Sequence, residues 1–127
     1  MRRARCSAVA SGARGQATVE LALVMPLIAL ALLAVVQTGL VVRDDLAVQH
    51  AAREGARAAS VDPDPDAAAA AVRRVIRHAS VTTSARPAVG GDITVRVAYR
   101  SHTDLPLVGP LFPDPQLHAS ATMRVER

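Results

Sequence analysis

Residues 15–42 read GQATVELALVMPLIALALLAVVQTGLVV, and this apolar segment organises the rest of the chain. From Leu21 to Val42 it contains no charged residue, so about 22 residues rising ~1.5 Å each would reach roughly 33 Å, enough to cross a bilayer once. The alternative is a buried core helix, but the remaining chain is too short and too poor in large apolar residues to surround a helix that is apolar on every side. We therefore predict a transmembrane helix. Pro26 is compatible with it, because a kink in a membrane helix is tolerated where neighbouring helices or water satisfy the freed carbonyl.

The charges that flank the segment predict its orientation. Arg43, Asp44 and Asp45 follow it directly. The arginines that precede it, with no acidic residue among them, are Arg2, Arg3, Arg5 and Arg14. The positive-inside tendency then places the N-terminus in the cytoplasm and the C-terminal part on the other side of the membrane. The expected location is the cell membrane, with a single span.

The basic composition indicates membrane topology rather than nucleic-acid binding. The chain has 127 residues, with 15 Lys plus Arg and 11 Asp plus Glu. Four arginines precede Gln16, so the chain from Gln16 onward is formally neutral. Lysine is absent and aromatic residues make up 2% of the chain, which leaves no platform on which bases could stack. The single cysteine, Cys6, precedes the span, so we expect no disulfide in the outer part.

The helix is predicted to continue past the membrane to about Ser60, since RDDLAVQHAAREGARAAS contains no proline and is rich in helix formers. Small residues recur there every four positions and allow close approach to a sheet or another helix; they are Ala47, Ala51, Gly55 and Ala59. The sequence VDPDPD, residues 61–66, ends this helix. Asp66 is expected to cap a second amphipathic helix over residues 66–80, with an apolar face of Ala68, Val72, Val75, Ile76 and Ala79.

The last third of the chain changes to the alternating pattern of β-strands. Strands are predicted over residues 80–86, 93–100 and 117–125, forming a three-stranded antiparallel sheet with one apolar face. The loop 101–116 contains four prolines and several large apolar residues, so it either folds under the sheet or offers a contact surface. The predicted fold class is α+β, a long N-terminal transmembrane helix that continues into a domain with a second short helix and a small three-stranded antiparallel sheet.

Three parts are therefore expected along the chain. Residues 1–15 form a basic leader and residues 16–60 form the transmembrane and extracytoplasmic helix. Residues 61–127 form a small extracytoplasmic α+β domain, with its second short helix and small sheet.

Glu20 is the most informative polar residue of the segment. An ionised carboxylate that entered lipid would cost about 3 kcal/mol unless it were paired, whereas among headgroups it would have no special role. Gly15, four further residues and Glu20 stand between the basic leader and the apolar helix. This arrangement resembles the type IV prepilin pattern. The resemblance implies that a prepilin peptidase cuts between Gly15 and Gln16, and that Glu20 pairs with the freed amine of a neighbouring subunit.

A narrower resemblance follows from three segments read together. They are VELALVMP, AAREGARAA, and the ending HASATMRVE that comes after LPLVGPLF. These resemble the TadE-like proteins, pseudopilins or minor pilins of the Flp/Tad branch of type IV pilus systems, most strongly over residues 14–60 and more loosely over residues 93–126. The resemblance implies a membrane-anchored, non-enzymatic subunit that helps to assemble a pilus or related secretion filament. Its expected partners are the prepilin peptidase, other pilin or pseudopilin subunits, and the Tad assembly machinery.

Enzymatic and metal-binding interpretations have little support in the sequence. The four histidines show no metal-ligand spacing, and neither a phosphate-binding loop nor a nucleophile elbow is present, so no cofactor, metal or catalytic residue is expected. His50 and Glu54 share a helical face but lack a third ligand. Asp62, Asp64 and Asp66 alternate as at the start of an EF-hand loop, whose later glycine and glutamate are missing here.

Two alternatives to the processed subunit remain. The first is an uncleaved single-span protein whose outer domain binds an envelope partner. The second is an ordinary secretory signal that is removed after a small residue such as Ala34, but the apolar run exceeds a usual signal core.

Overall fold

The computed structural model of the chain describes residues 12–102 and 114–126. Its elements are α1 (Gly12–Val61), α2 (Ala67–Val75), β1 (Ser80–Thr83), β2 (Asp92–Arg100) and β3 (Gln116–Arg124). The α+β class predicted from the sequence is confirmed: a long N-terminal helix, a short second helix and a three-stranded antiparallel sheet. Most of the predicted leader, residues 1–11, lies outside the described residues.

Helix α1 is a single α-helix of 50 residues that continues through Pro26. It begins at Gly12 rather than Gln16, so residues 12–14, which we expected in a flexible leader, are helical. No proline separates them from the apolar run, Ala13 and Arg14 favour helix, and Gly15 does not interrupt α1. Among the described residues, α1 is the one helix long and apolar enough, by length and composition, to cross a membrane.

The C-terminal half of α1 forms the core of the part that also contains α2 and the sheet. Its buried residues include Val48, Ala51, Ala52, Ala56 and Ala59. The small residue at Gly55 permits a close approach, because a Cβ there would lie 2.8 Å from Val72 Cγ2 and 3.1 Å from Val95 Cγ1. The predicted small-residue stripe therefore packs against both α2 and the sheet.

Helix α2 is shorter than predicted. It ends at Val75 because Ile76 takes an extended conformation, with φ −134° and ψ 109°. Ala68 and Val72 are buried as predicted, but Val75 is 37% exposed, so its assignment to the apolar face was wrong. The residues Ile76 and Ala79 pack on the core from beyond the helix. Asp66 occupies the N-cap position without a side-chain capping hydrogen bond, so that part of the prediction was also wrong.

The sheet has the order β1-β2-β3 with both pairs antiparallel. Alternate residues of β2 are buried against the helices, namely Ile93, Val95 and Val97. Strand β1 ends at Thr83, three residues before the predicted end. A glycine turn precedes β2, with Gly90 at φ 89°, where a side chain would be strained. Of the predicted loop 101–116, residues 103–113 lie outside the described residues, so its contact surface stays a prediction.

Candidate functional site

The residues of the predicted processing and assembly site lie on the first turns of α1. Gln16 Nε2 donates a hydrogen bond of 3.3 Å to Glu20 Oε1, and both side chains are exposed. The two residues are four positions apart and therefore share one face of the helix. Among the described side chains, no cation lies within ion-pair distance of Glu20. The Glu20 carboxylate thus projects from the surface of the helix, one turn after the bond that follows Gly15.

Gly15 has no packing partner that would require a glycine. A Cβ at this position would meet no atom within 4 Å, in contrast to the crowded position of Gly55. The helix itself disfavours glycine by about 1 kcal/mol relative to alanine. Contacts within the described chain therefore do not explain a glycine at this position.

The apolar half of α1 has almost no protein around it. Most of its large apolar side chains are 40–73% exposed, Leu33 and Val41 are half-buried, and none of its most apolar 18 residues is buried within the described chain. The exposed side chains include Leu21, Leu23, Leu27, Leu32 and Val42. Gln37 is the exception, since this polar residue is only 7% exposed. A surface of this size and composition is stable only against lipid or against other apolar helices.

A buried hydrogen bond fastens the sheet to α1 just beyond the span. Ser101 Oγ donates to Asp44 Oδ2 over 2.6 Å, and Ser101 is only 2% exposed. The Ser101 amide also donates to the Pro115 carbonyl over 3.1 Å, which joins the strands on either side of the connecting loop. We had interpreted Asp44 only as a charge that sets orientation. Its partner is 57 positions away, so no local pattern could have revealed the contact.

A guanidinium group fastens the other end of α1. Arg86 Nη1 donates to the carbonyls of Ala59 and Asp62, the latter over 2.8 Å, and Nη2 donates to that of Ser60 over 3.5 Å. The Glu126 amide adds a bond of 3.0 Å to the Ser60 carbonyl. The last carbonyls of a helix lack internal donors and carry partial negative charge, which a cation stabilises. Sequence reasoning missed Arg86, which lies in an irregular segment after β1.

The acidic turn after α1 is organised by its own backbone. Asp62 Oδ1 accepts from the Asp64 amide over 3.0 Å, and Asp64 Oδ1 accepts from the Asp66 amide over 2.9 Å. Within the described residues, no group of three or more His, Cys, Asp or Glu is placed to hold a metal ion. The alternation of carboxylates in this turn is thus accounted for by the turn's hydrogen bonds.

The family comparison concerns the helix just described. The family model of the TadE-like proteins matches residues 15–57. The match covers about a third of the chain. The resemblance inferred from the sequence is confirmed over these residues, which hold the whole span, Asp44 and the small-residue stripe as far as Gly55. The looser resemblance over residues 93–126 lies outside the match. No curated protein and no solved structure shows significant similarity to the chain.

The TadE-like segment and the geometry of α1 agree on the general kind of protein. The family is one of pilus components rather than of enzymes. One apolar helix near the N-terminus fits a single-pass membrane protein of such a system. Over about a third of its length the chain is thus similar to a family of pilus components, and its described apolar helix is long enough to cross a membrane.

Proposed function

We propose that the chain is a TadE-like pseudopilin or minor pilin that takes part in assembling a Flp/Tad-type pilus or a related secretion filament. One observation carries the proposal. The TadE-like match covers a helix whose first half is apolar and exposed and whose second half is the core of the outer domain. Such a helix can be held in a bilayer and later packed against identical helices, because both surroundings bury the same apolar side chains.

The proposed processing step is a cut between Gly15 and Gln16 by a prepilin peptidase on the cytoplasmic side. The new chain would begin at Gln16, with its outer domain over residues 61–127 on the far side of the membrane. The freed amine of one subunit would pair with the Glu20 carboxylate of the next. A carboxylate moved into an apolar helix bundle needs a cationic partner, since an unpaired buried charge is strongly destabilising.

Processing is tested by the intact mass of protein extracted from membranes of cells with an active prepilin peptidase. We expect the wild-type chain to begin at Gln16 and the Gly15→Leu variant to begin at Met1. Gly39→Leu is the matched control, because Gly39 also lies in α1 and a Cβ there would also meet nothing within 4 Å. Normal shortening of Gly15→Leu would show that the cut lies elsewhere.

The assembly role of Glu20 is tested by comparing Glu20→Gln with Glu20→Ala in membranes and in sheared filaments. Both variants should insert normally and should lose incorporation by roughly 100-fold, the equivalent of about 3 kcal/mol for a broken buried pair. Glu54→Gln removes the same charge from the outer half of α1 and should incorporate normally. Incorporation of both Glu20 variants at the wild-type level would remove the proposed role.

A specific observation favours one alternative. Helix α1 continues without interruption through the Gly15–Gln16 bond, and a peptidase must open this turn before it can cut. In the alternative the chain stays uncleaved, and its outer domain binds an envelope partner. A wild-type mass that begins at Met1, despite an active peptidase, would favour this function. A start beyond Val36 would indicate an ordinary signal peptide and would exclude both.

A further inference from the structure

The sheet has an outer face that no described element covers. Helices α1 and α2 pack against the inner face, where alternate residues of β2 are buried, so the intervening residues point away from the helices. Three of these outward residues are the exposed arginines Arg96, Arg100 and Arg124. None of the three has an ion-pair or hydrogen-bond partner among the described residues. Asp92, opposite Arg124 on the neighbouring strand, is the acidic residue of this face.

The rest of this outer face is rich in hydroxyl groups. The side chains concerned are Ser80, Thr82, Thr94, Ser120 and Thr122. The hydroxyls of Thr94 and Thr122 lie 2.8 Å apart across the two strands, which fixes them in place. The described outer face carries no Phe, Tyr or Trp side chain, and its one ring is the exposed imidazole of His118. The guanidinium and hydroxyl groups of this face can donate hydrogen bonds to the carboxylates of a partner.

The same chain carries an exposed acidic turn with the complementary chemistry. Asp62, Asp64 and Asp66 lie within five residues, all are exposed, and Pro63 and Pro65 restrict the backbone between them. No described cation forms an ion pair with these carboxylates, although two arginines line the same surface depression. The turn joins the two helices that cover the inner face, so it cannot reach the outer face of its own sheet.

We propose that the outer face of the sheet, through Arg96, Arg100 and Arg124, binds the acidic turn 62–66 of a second copy of this chain. The inference rests on the proposed function, because it requires that the chain assembles. A contact between two different surfaces of identical subunits leaves both surfaces free at the ends, so it repeats into an open helical array instead of closing as a dimer. The formal neutrality of the chain from Gln16 onward, with acids on the turn and arginines on the sheet, fits such head-to-tail pairing.

Two charge-reversed chains test this contact in cells that carry the assembly machinery. The sheet variant is Arg96→Glu with Arg100→Glu. The turn variant is Asp62→Asn, Asp64→Asn and Asp66→Arg, in which asparagine keeps the oxygen that accepts the turn's amides. Each variant alone should incorporate into sheared filaments roughly tenfold less than wild type, because like charges would meet at every contact. The matched control is Arg73→Glu with Arg77→Glu, which reverses two exposed arginines on the helix side and should incorporate normally.

Co-expression of the two variants decides whether the two surfaces bind each other. Alternating copies would then bring each reversed surface against its opposite charge, and incorporation should return to within about twofold of wild type. Restoration identifies a second copy of the chain as the partner, since no other protein was changed. Normal incorporation of either variant alone, or a loss that co-expression does not restore, would overturn the contact. A wild-type chain that never enters filaments would instead refute the proposed function.

Discussion

Replacing Gly55 with alanine tests the packing that holds the outer domain on α1. The new Cβ would lie 2.8 Å from Val72 Cγ2 and 3.1 Å from Val95 Cγ1, closer than carbon atoms tolerate. Both valines are completely buried, and β-branched side chains have few alternative rotamers into which they could move. The helix backbone must therefore shift away from α2 and the sheet, or the valines must leave their preferred rotamers.

The expected magnitude follows from two opposing effects. Alanine favours helix over glycine by about 1 kcal/mol, whereas overpacking a filled core costs about 1–3 kcal/mol. We expect Gly55→Ala to lower the free energy of unfolding by about 1 kcal/mol. A neighbouring truncation supplies the internal control. Val72→Ala alone should cost about 2 kcal/mol, from two lost methyl groups and the cavity that they leave.

The double variant separates a steric clash from a general loss of stability. With Val72 shortened, the Cβ at position 55 gains room, so the substitution of Gly55 should become neutral or stabilising. The two changes should thus deviate from additivity by about 1–2 kcal/mol. The measurement is equilibrium urea unfolding of the full chain in detergent, followed through the single tyrosine, Tyr99. Additivity within about 0.5 kcal/mol, or a fully stabilising Gly55→Ala, would refute the close packing.

Three further predictions concern hydrogen bonds that hold α1 to the rest of the chain and the start of α2. Arg86→Ala should destabilise the outer domain by about 2 kcal/mol through lost charge-assisted hydrogen bonds to carbonyls, lowering the melting temperature by roughly 10 °C, whereas Arg77→Ala should have little effect. Asp44→Ala and Ser101→Ala should each lower the free energy of unfolding, measured in urea, by about 1–2 kcal/mol. The double variant should lose little more, because both changes remove the same hydrogen bond. Asp66→Ala should change stability by less than about 0.5 kcal/mol, since its side chain forms no capping bond; a loss above ~1 kcal/mol would contradict this.

The features that were predicted correctly from the sequence are those with a regular pattern of residues along the chain. The uncharged run up to Val42, the fourfold spacing that includes Gly55, and the alternation in β2 and β3 each repeat often enough to overcome local preferences. The residues at which helices and strands end were harder to predict. A helix over residues 66–80 satisfied the apolar pattern, but extended backbone at Ile76 also brings that side chain to the core, and only tertiary packing decides between the two.

The two contacts that fasten the domain to α1 could not be predicted from the sequence. Arg86 and Ser101 each bond a residue of α1 that is at least 26 positions away, and neither stands in a recognisable motif. Arg86 bonds backbone carbonyls, which carry no sequence signal. Ser101 bonds the Asp44 carboxylate, which the sequence pattern assigns to the membrane boundary. Long-range pairs of this kind follow from the fold and so can be identified only once it is known.

The same two contacts limit how the proposed filament could be built. Ser101 holds the sheet to Asp44 immediately after the span, and Arg86 holds the irregular segment after β1 to the last turn of α1, so the outer domain is fixed along the whole outer half of the helix. Any stagger between neighbouring helices that is set by pairing at Glu20 is therefore transmitted to the outer surface. The stagger that satisfies Glu20 must also bring the acidic turn of one copy to the sheet of the next. A variant that weakens the Asp44–Ser101 bond should then reduce incorporation into filaments more than it reduces membrane insertion. It would let the sheet move relative to α1, so that the pairing at Glu20 no longer fixes the position of the sheet, although neither proposed contact is itself altered.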